Sequence, residues 1–145
     1  MEVKFSQPDI RDAEISEVVE VLRSGWITTG PKTKQFEREI AAYCGTPKSI
    51  CLNSATAGLE LILRYLGIGA GDEVITSAYT YTASASIIQH VGAKIVLCDV
   101  GKDDFFCNLE QLEKLISEKT KAIITVDLGG KLSDYRSLFQ IAERK

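Results

Sequence analysis

Four short apolar runs, Ser49–Leu52, Glu73–Thr76, Lys94–Cys98 and Ala122–Val126, alternate with four helical stripes, and this alternation constrains the fold more than any other feature. The runs are mostly continuous in apolar residues rather than alternating, as expected of strands covered on both faces. After the first run, Leu59, Ile62, Leu63 and Leu66 recur at i, i+3, i+4 and i+7, the period of a helix. Ala83, Ile87, Ile88 and Val91 follow the second run, Leu109, Leu112, Leu115 and Ile116 the third, and Tyr135, Leu138, Phe139 and Ala142 the fourth. Such alternation predicts an α/β fold, a three-layer, mostly parallel sheet flanked by helices. Its crossovers are expected to be right-handed, and its ligands to bind outside the carboxyl ends of the strands.

Glycines and caps divide the chain further. A helix is predicted over Asp12–Ser24, with Ile15, Val18, Val19 and Leu22 on one face and Gly25 as its stop. Trp26–Pro31 reads as a loop broken by Gly30-Pro31. Thr33 is the expected cap of a helix carrying Phe36, Ile40 and Tyr43 and ending at Gly45. A further helix is expected over Tyr81–Val91. Asn108 with Gln111 resembles a capping box, and Ser133 is the expected cap of the last helix. No repeat, low-complexity segment or linker interrupts the sequence, which reads as one domain.

A net charge of −3 gives no electrostatic case for nucleic acid or an anionic membrane, so any anion site must be local. Cys44, Cys51, Cys98 and Cys107 form no C-x-x-C pair, which argues against a zinc ribbon or a dithiol redox centre. Cys51 and Cys98 fall in apolar runs, and free, buried thiols of a cytoplasmic protein are expected. Met1–Ser6 carries no signal-peptide core, and no apolar run approaches membrane-spanning length.

The turn Asn53-Ser-Ala-Thr-Ala-Gly58 joins the first run to its helix. Free backbone N–H groups and the positive end of the helix dipole make such a turn an anion site suited to phosphate. Small side chains at Ser54, Ala55 and Ala57 admit the phosphate to the backbone, and the Thr56 hydroxyl adds a donor. The same residues also fit an ordinary N-capped helix with no ligand. Tyr79 and Tyr81 follow the second run, where a ring can cover a flat heterocycle or simply fill the core. His90, the sole histidine, reads as a helix-terminal surface residue. Asp99 and Asp127 end strands and offer a carboxylate pair without a metal-ligand pattern.

Four ordered motifs carry a family resemblance: Gly25-Trp-Ile-Thr-Thr-Gly-Pro-Lys32, Asn53–Gly58, Gly69-Ala-Gly-Asp-Glu-Val-Ile75 and Thr120-Lys-Ala-Ile-Ile124. From about Phe5 to Arg144 the chain resembles the start of the DegT/StrS-type sugar aminotransferases, enzymes of the pyridoxal phosphate (PLP) fold type I architecture. The resemblance implies that Ala55 and Thr56 hold the PLP phosphate, that Tyr81 stacks on the pyridine ring, and that Thr29 and Gly30 border the sugar pocket. It also implies a homodimer with the active site at its interface, a keto nucleotide sugar as acceptor, and an amino-acid donor, expected to be glutamate, in cell-envelope or glycan biosynthesis.

The family's pyridine-pairing aspartate and Schiff-base lysine follow the last helix seen here, and no lysine of this chain occupies a matching position. The aspartate keeps the ring nitrogen protonated, and the lysine moves the proton in amino transfer. Residues 1–145 are therefore expected to be a truncated N-terminal part of the PLP-binding large domain, without the small domain and catalytically incomplete. A sugar dehydratase of the same family, and a non-catalytic binding domain derived from it, fit the same residues. Asp127 stands where many members of the family have histidine.

Overall fold

The computed structural model describes residues 7–102 and 104–144, so Met1–Ser6, Asp103 and Lys145, with the signal-core reading and the first residues of the resemblance, lie outside it. The described residues divide into two compact units, one ending at Cys51 and one beginning at Leu52.

The first unit holds α1 (Asp12–Ser24) and α2 (Pro31–Cys44). Helix α1 has the predicted bounds, with the Glu14 carboxylate accepting the Arg11 N–H at 2.8 Å and Gly25 closing it at φ 73°. Its apolar stripe finds no cover within the unit: Ile15, Val18 and Leu22 are all more than half exposed. Helix α2 begins two residues before the expected Thr33 cap, with Gly30 as N-cap and Pro31 as its first residue. Proline suits that position because its φ is already helical and its missing N–H has no helical partner there.

The run Ser49–Leu52 is not a strand. The Cys51 N–H goes to the Glu37 carboxylate at 3.0 Å instead of to a ladder. An extended segment becomes a strand only beside a partner, and among the described residues none flanks it. Cys51 is accordingly half-buried and Cys44 is exposed, so only Cys98 is the fully buried thiol expected for both apolar runs.

In the second unit, α3 (Ala55–Tyr65) precedes β1 (Glu73–Ser77), α4 (Ala83–His90), β2 (Lys94–Cys98), α5 (Leu109–Leu115), β3 (Thr120–Ile124), a 3-10 turn (Leu128–Gly130) and α6 (Tyr135–Glu143). The three strands form one parallel sheet in the order β2-β1-β3. Helix α4 starts at Ala83 rather than Tyr81, and β3 lies two residues earlier than predicted.

Both faces of the sheet are covered. Val74 joins Leu63, Ile87 and Ile88 from α3 and α4 in one buried cluster. Ile75, the next residue of β1, joins Leu112, Leu138 and Ile141 from α5 and α6 in the other. Successive strand side chains point to opposite faces, so one strand anchors both layers. The β1–α4–β2 and β2–α5–β3 connections run in opposite directions along the sheet. Right-handed crossovers then require α4 and α5 on opposite faces, as observed.

Caps in this unit depart from the simple pattern for a shared reason. Asn108 Oδ1 accepts the Gln111 N–H at 3.0 Å, but the Gln111 side chain accepts the Asp99 N–H at 3.0 Å rather than closing a capping box. Ser133 donates its hydroxyl to Asp127 at 3.0 Å, so Asp134 caps α6 by accepting the Ser137 N–H at 3.1 Å. In both cases the predicted capping side chain is drawn to an aspartate that follows a strand.

Candidate functional site

The N-terminus of α3 is an open donor set. Ser54 Oγ accepts the Ala57 N–H at 3.1 Å, and Ser54 O accepts the Gly58 N–H at 3.3 Å. The N–H groups of Ala55 and Thr56 are the remaining donors of the first turn, which no helix can satisfy internally. The first turn carries no acidic residue, so its dipole is uncompensated. Leu52 packs under the turn, where a Cβ on Gly58 would stand 3.3 Å from Leu52 Cδ1. Exposed Ala55 and half-buried Thr56 thus carry two N–H groups without a helical acceptor, and Thr56 adds a hydroxyl to the same turn. This donor set fits the phosphate of PLP.

The second half of α3 is braced. Glu60 accepts from Arg64 Nε at 2.9 Å, four residues on, and lies 2.9 Å from His90 Nδ1 at the end of α4. The His90 contact, then Arg64, holds the Glu60 carboxyl below the usual carboxylate range. Arg64 also donates to His90 O at 3.3 Å. His90 is half exposed at its helix terminus, as the sequence suggests.

The connection leaving β1 runs to the face of α4, while those leaving β2 and β3 run to the other face. A crevice is expected where neighbouring connections part in this way, which here is the carboxyl end of β1. The residues there are Ser77–Thr82. Ser77 Oγ accepts the Tyr79 N–H at 3.2 Å, and Tyr81 O accepts the Ser84 N–H at 3.0 Å, which fixes the loop. Tyr79 is stacked on Phe105, a contact with no sequence signal, because Phe105 lies in an irregular segment. Tyr81 lies outside the helix predicted to contain it, and its side chain is 82% exposed. Of the two tyrosines, Tyr81 is the more exposed and, among the described residues, stacks on no other ring.

Asp99 and Asp127 do not form a carboxylate pair. Asp99 directly follows β2 and Asp127 lies three residues beyond β3, and β1 runs between those two strands. Asp127 accepts the Ser133 N–H at 2.9 Å, the Ser133 hydroxyl at 3.0 Å and the Tyr135 hydroxyl at 2.8 Å. The Ser133 backbone bond, then Tyr135, keeps its carboxyl below the ordinary range. Asp127 organises its loop and has little capacity left for a ligand. Among the described residues no group of three potential metal ligands occurs.

Thr29 and Gly30 lie in the first unit, in the bend between α1 and α2. Thr29 O accepts the Trp26 indole N–H at 3.1 Å. Lys32, just beyond, is held 2.5 Å from Glu17 and 3.0 Å from Glu20.

Residues 8–145 match the DegT/DnrJ/EryC1/StrS aminotransferase family. The chain belongs to this family. Family relatives agree in sequence and in fold. The UDP-4-amino-4-deoxy-L-arabinose–oxoglutarate aminotransferase of Shewanella sediminis is 44% identical over 95% of this chain and 36% of its own length. The spore coat polysaccharide biosynthesis protein SpsC of Bacillus subtilis is 41% identical over 96% of this chain and 36% of its own. Spr1654 of Streptococcus pneumoniae, named as a sugar aminotransferase, superposes in its PLP form with a TM-score of 0.94 and 58% identity over 99% of this chain. The chain thus spans about 36% of the length of the relatives it matches. Among the described residues no helix is long and apolar enough to cross a membrane.

Proposed function

We propose that these residues form the phosphate-binding and ring-covering part of a PLP-dependent sugar aminotransferase. The full activity moves an amino group from an amino acid, glutamate, to the keto group of a nucleotide sugar for cell-envelope or glycan biosynthesis in the cytoplasm. The observation that carries this reading is the N-terminus of α3: two free N–H groups, a threonine hydroxyl and no acid in the first turn. The names of the Shewanella and Bacillus relatives support a sugar substrate. The PLP and PMP forms of Spr1654 support the cofactor.

In this reading Ala55 and Thr56 bind the phosphate through N–H and hydroxyl. Tyr81 covers one face of the pyridine ring and excludes water from it. Bound PLP supplies an electron sink for the carbon from which nitrogen is transferred. Thr29 and Gly30 border the sugar. The uncovered stripe of Ile15, Val18 and Leu22 supports a homodimer. The 145 residues by themselves are proposed to bind PLP weakly and to transfer no amino group.

Equilibrium binding tests the reading without requiring activity. PLP is expected to bind the chain, inorganic phosphate to compete with it, and Thr56→Val to weaken both by roughly 10-fold or more, the loss of one hydrogen bond to a charged group. PLP binding indifferent to phosphate and to Thr56→Val would overturn the assignment. After borohydride treatment, mass spectrometry is expected to find no site-specific pyridoxyl-lysine; a stoichiometric adduct at one lysine would refute the proposed inactivity.

A further inference from the structure

After leaving α2 the chain turns back along it. Gly45 closes the helix, and the Thr46 N–H donates to Ala41 O at 2.9 Å. The Thr46 hydroxyl donates to Lys48 O at 3.2 Å. Three residues on, the Cys51 N–H donates to the Glu37 carboxylate at 3.0 Å. Pro47–Ile50 is thus tied to α2 at both ends, and between the two lies a groove of about 440 Å³. That volume falls in the ~300–1,000 Å³ range of small-molecule sites. Every residue lining it belongs to the first unit.

The lining joins an apolar surface to an excess of positive charge. Ala41, Pro47 and Ile50 supply the apolar part, and Ile50 is 72% exposed. Lys34, Arg38 and Lys48 stand against one carboxylate, Glu37. That carboxylate is already occupied, since it takes the Lys34 ammonium at 2.9 Å as well as the Cys51 N–H. The Cys51 bond, then Lys34, holds its carboxyl below the usual carboxylate range, so it stays charged and cancels Lys34. Among the described residues Arg38 and Lys48 enter no ion pair. Two cations are therefore left over at this groove in a chain whose net charge is −3.

An occupant has to satisfy both parts. Exposed apolar surface gains by covering an apolar body. A guanidinium fork takes two phosphate oxygens at once, and a phosphate monoester brings close to two negative charges for two cations. Ser49 adds a hydroxyl to the lining. A strap tied at both ends before the ligand arrives also lowers the ordering cost of binding. We infer that the groove between α2 and Pro47–Ile50 binds a phosphate monoester with a compact apolar body, its phosphate on Arg38 and Lys48. This site is built from side-chain cations, unlike the backbone donors of the α3 turn, and it does not rest on the proposed function.

The 15N-labelled 145-residue chain is titrated with 1-naphthyl phosphate, with inorganic phosphate and with 1-naphthol, and the Ser49 and Ile50 amides and the Arg38 Nε–H are followed by NMR. Saturable shifts of all three are expected with 1-naphthyl phosphate. Inorganic phosphate, which lacks the apolar body, is expected to need roughly 10-fold more ligand for the same shifts. 1-Naphthol is expected not to saturate them. Arg38→Gln and Lys48→Gln, both at exposed positions, are each expected to weaken the ester by about 2- to 10-fold. Shifts confined to Ala55 and Thr56 would place the ester at the α3 turn alone and overturn the inference. Affinity unchanged in both variants, or 1-naphthol matching the ester, would overturn it as well.

Discussion

The ring of Tyr79 lies on that of Phe105, with centroids 4.9 Å apart and planes inclined by 26°. Two neighbouring tyrosines on one loop therefore have different duties. Tyr79 closes the loop onto the Phe105 arm, and Tyr81 stays largely exposed. Tyr81→Ala is expected to weaken PLP binding by about 2- to 10-fold, the value of one stacked ring. Tyr79→Ala is expected to lower the melting temperature while leaving affinity within about twofold, since the stack it removes is internal. Isothermal titration and thermal melting together separate the two.

The two core clusters meet only through the sheet, which makes them independent levers. Ile87→Ala on one face and Leu112→Ala on the other each leave a cavity at a fully buried site. Each is expected to cost about 2–5 kcal/mol in urea unfolding. The double variant is expected to show the sum to within about 0.5 kcal/mol. A clear departure would mean that the sheet transmits strain between its faces.

Thiol reactivity should follow burial. Desolvation, then neighbouring Cys107, pushes the Cys98 thiol up to about 12. At pH 8 that leaves about one thiolate in ten thousand. Iodoacetamide is expected to label exposed Cys44 within minutes and Cys98 only after unfolding, as peptide mass spectrometry would show.

Asp127 makes a pH prediction whose sign is fixed by its partners. Its folded pKa lies below the usual 3.8, chiefly because the Ser133 N–H and the Tyr135 hydroxyl donate to the charged form. A lowered carboxyl stabilises the fold above the unfolded value and loses that contribution as pH falls through the folded one. Asp127→Asn is therefore expected to melt earlier at neutral pH and to show a flatter acid limb than the parent. Equal curves from neutral pH to the acid limb would exclude Asp127 as the organiser of its loop.

The layers of the fold were legible because Val74 and Ile75, and Ile87 and Ile88, carry their own periodicity. Asp12–Ser24 was legible to the residue, since Gly25 leaves little choice of end. What was not legible depends on long-range partners. Ser49–Leu52 has the composition of a strand, yet Glu37, fourteen residues away in sequence, takes the Cys51 N–H. Ser133 has the composition of a cap, yet Asp127 takes its hydroxyl. At the candidate site, the α3 turn was readable as a local pattern of small residues. The stack that ties down Tyr79 was not, because Phe105 supplies it from a segment with no period. The packing of Trp26 on Gly30 was likewise hidden, since nothing in a Trp–Gly spacing of four reveals a ring packed on a backbone.

The Glu60–His90 and Arg64–His90 contacts join the second half of α3 to the end of α4, two helices whose near ends begin beside different parts of the candidate site. Helix α3 starts at the proposed phosphate donors, and α4 starts just after Tyr81. Tied at His90 and packed along Leu63, Ile87 and Ile88, the pair behaves as one stiff spacer. The gap between an anion at the first helix and a flat ring at the second is then a property of the scaffold, measured out before any cofactor arrives. A ligand whose phosphate and ring stand at another spacing would have to give up one end to keep the other.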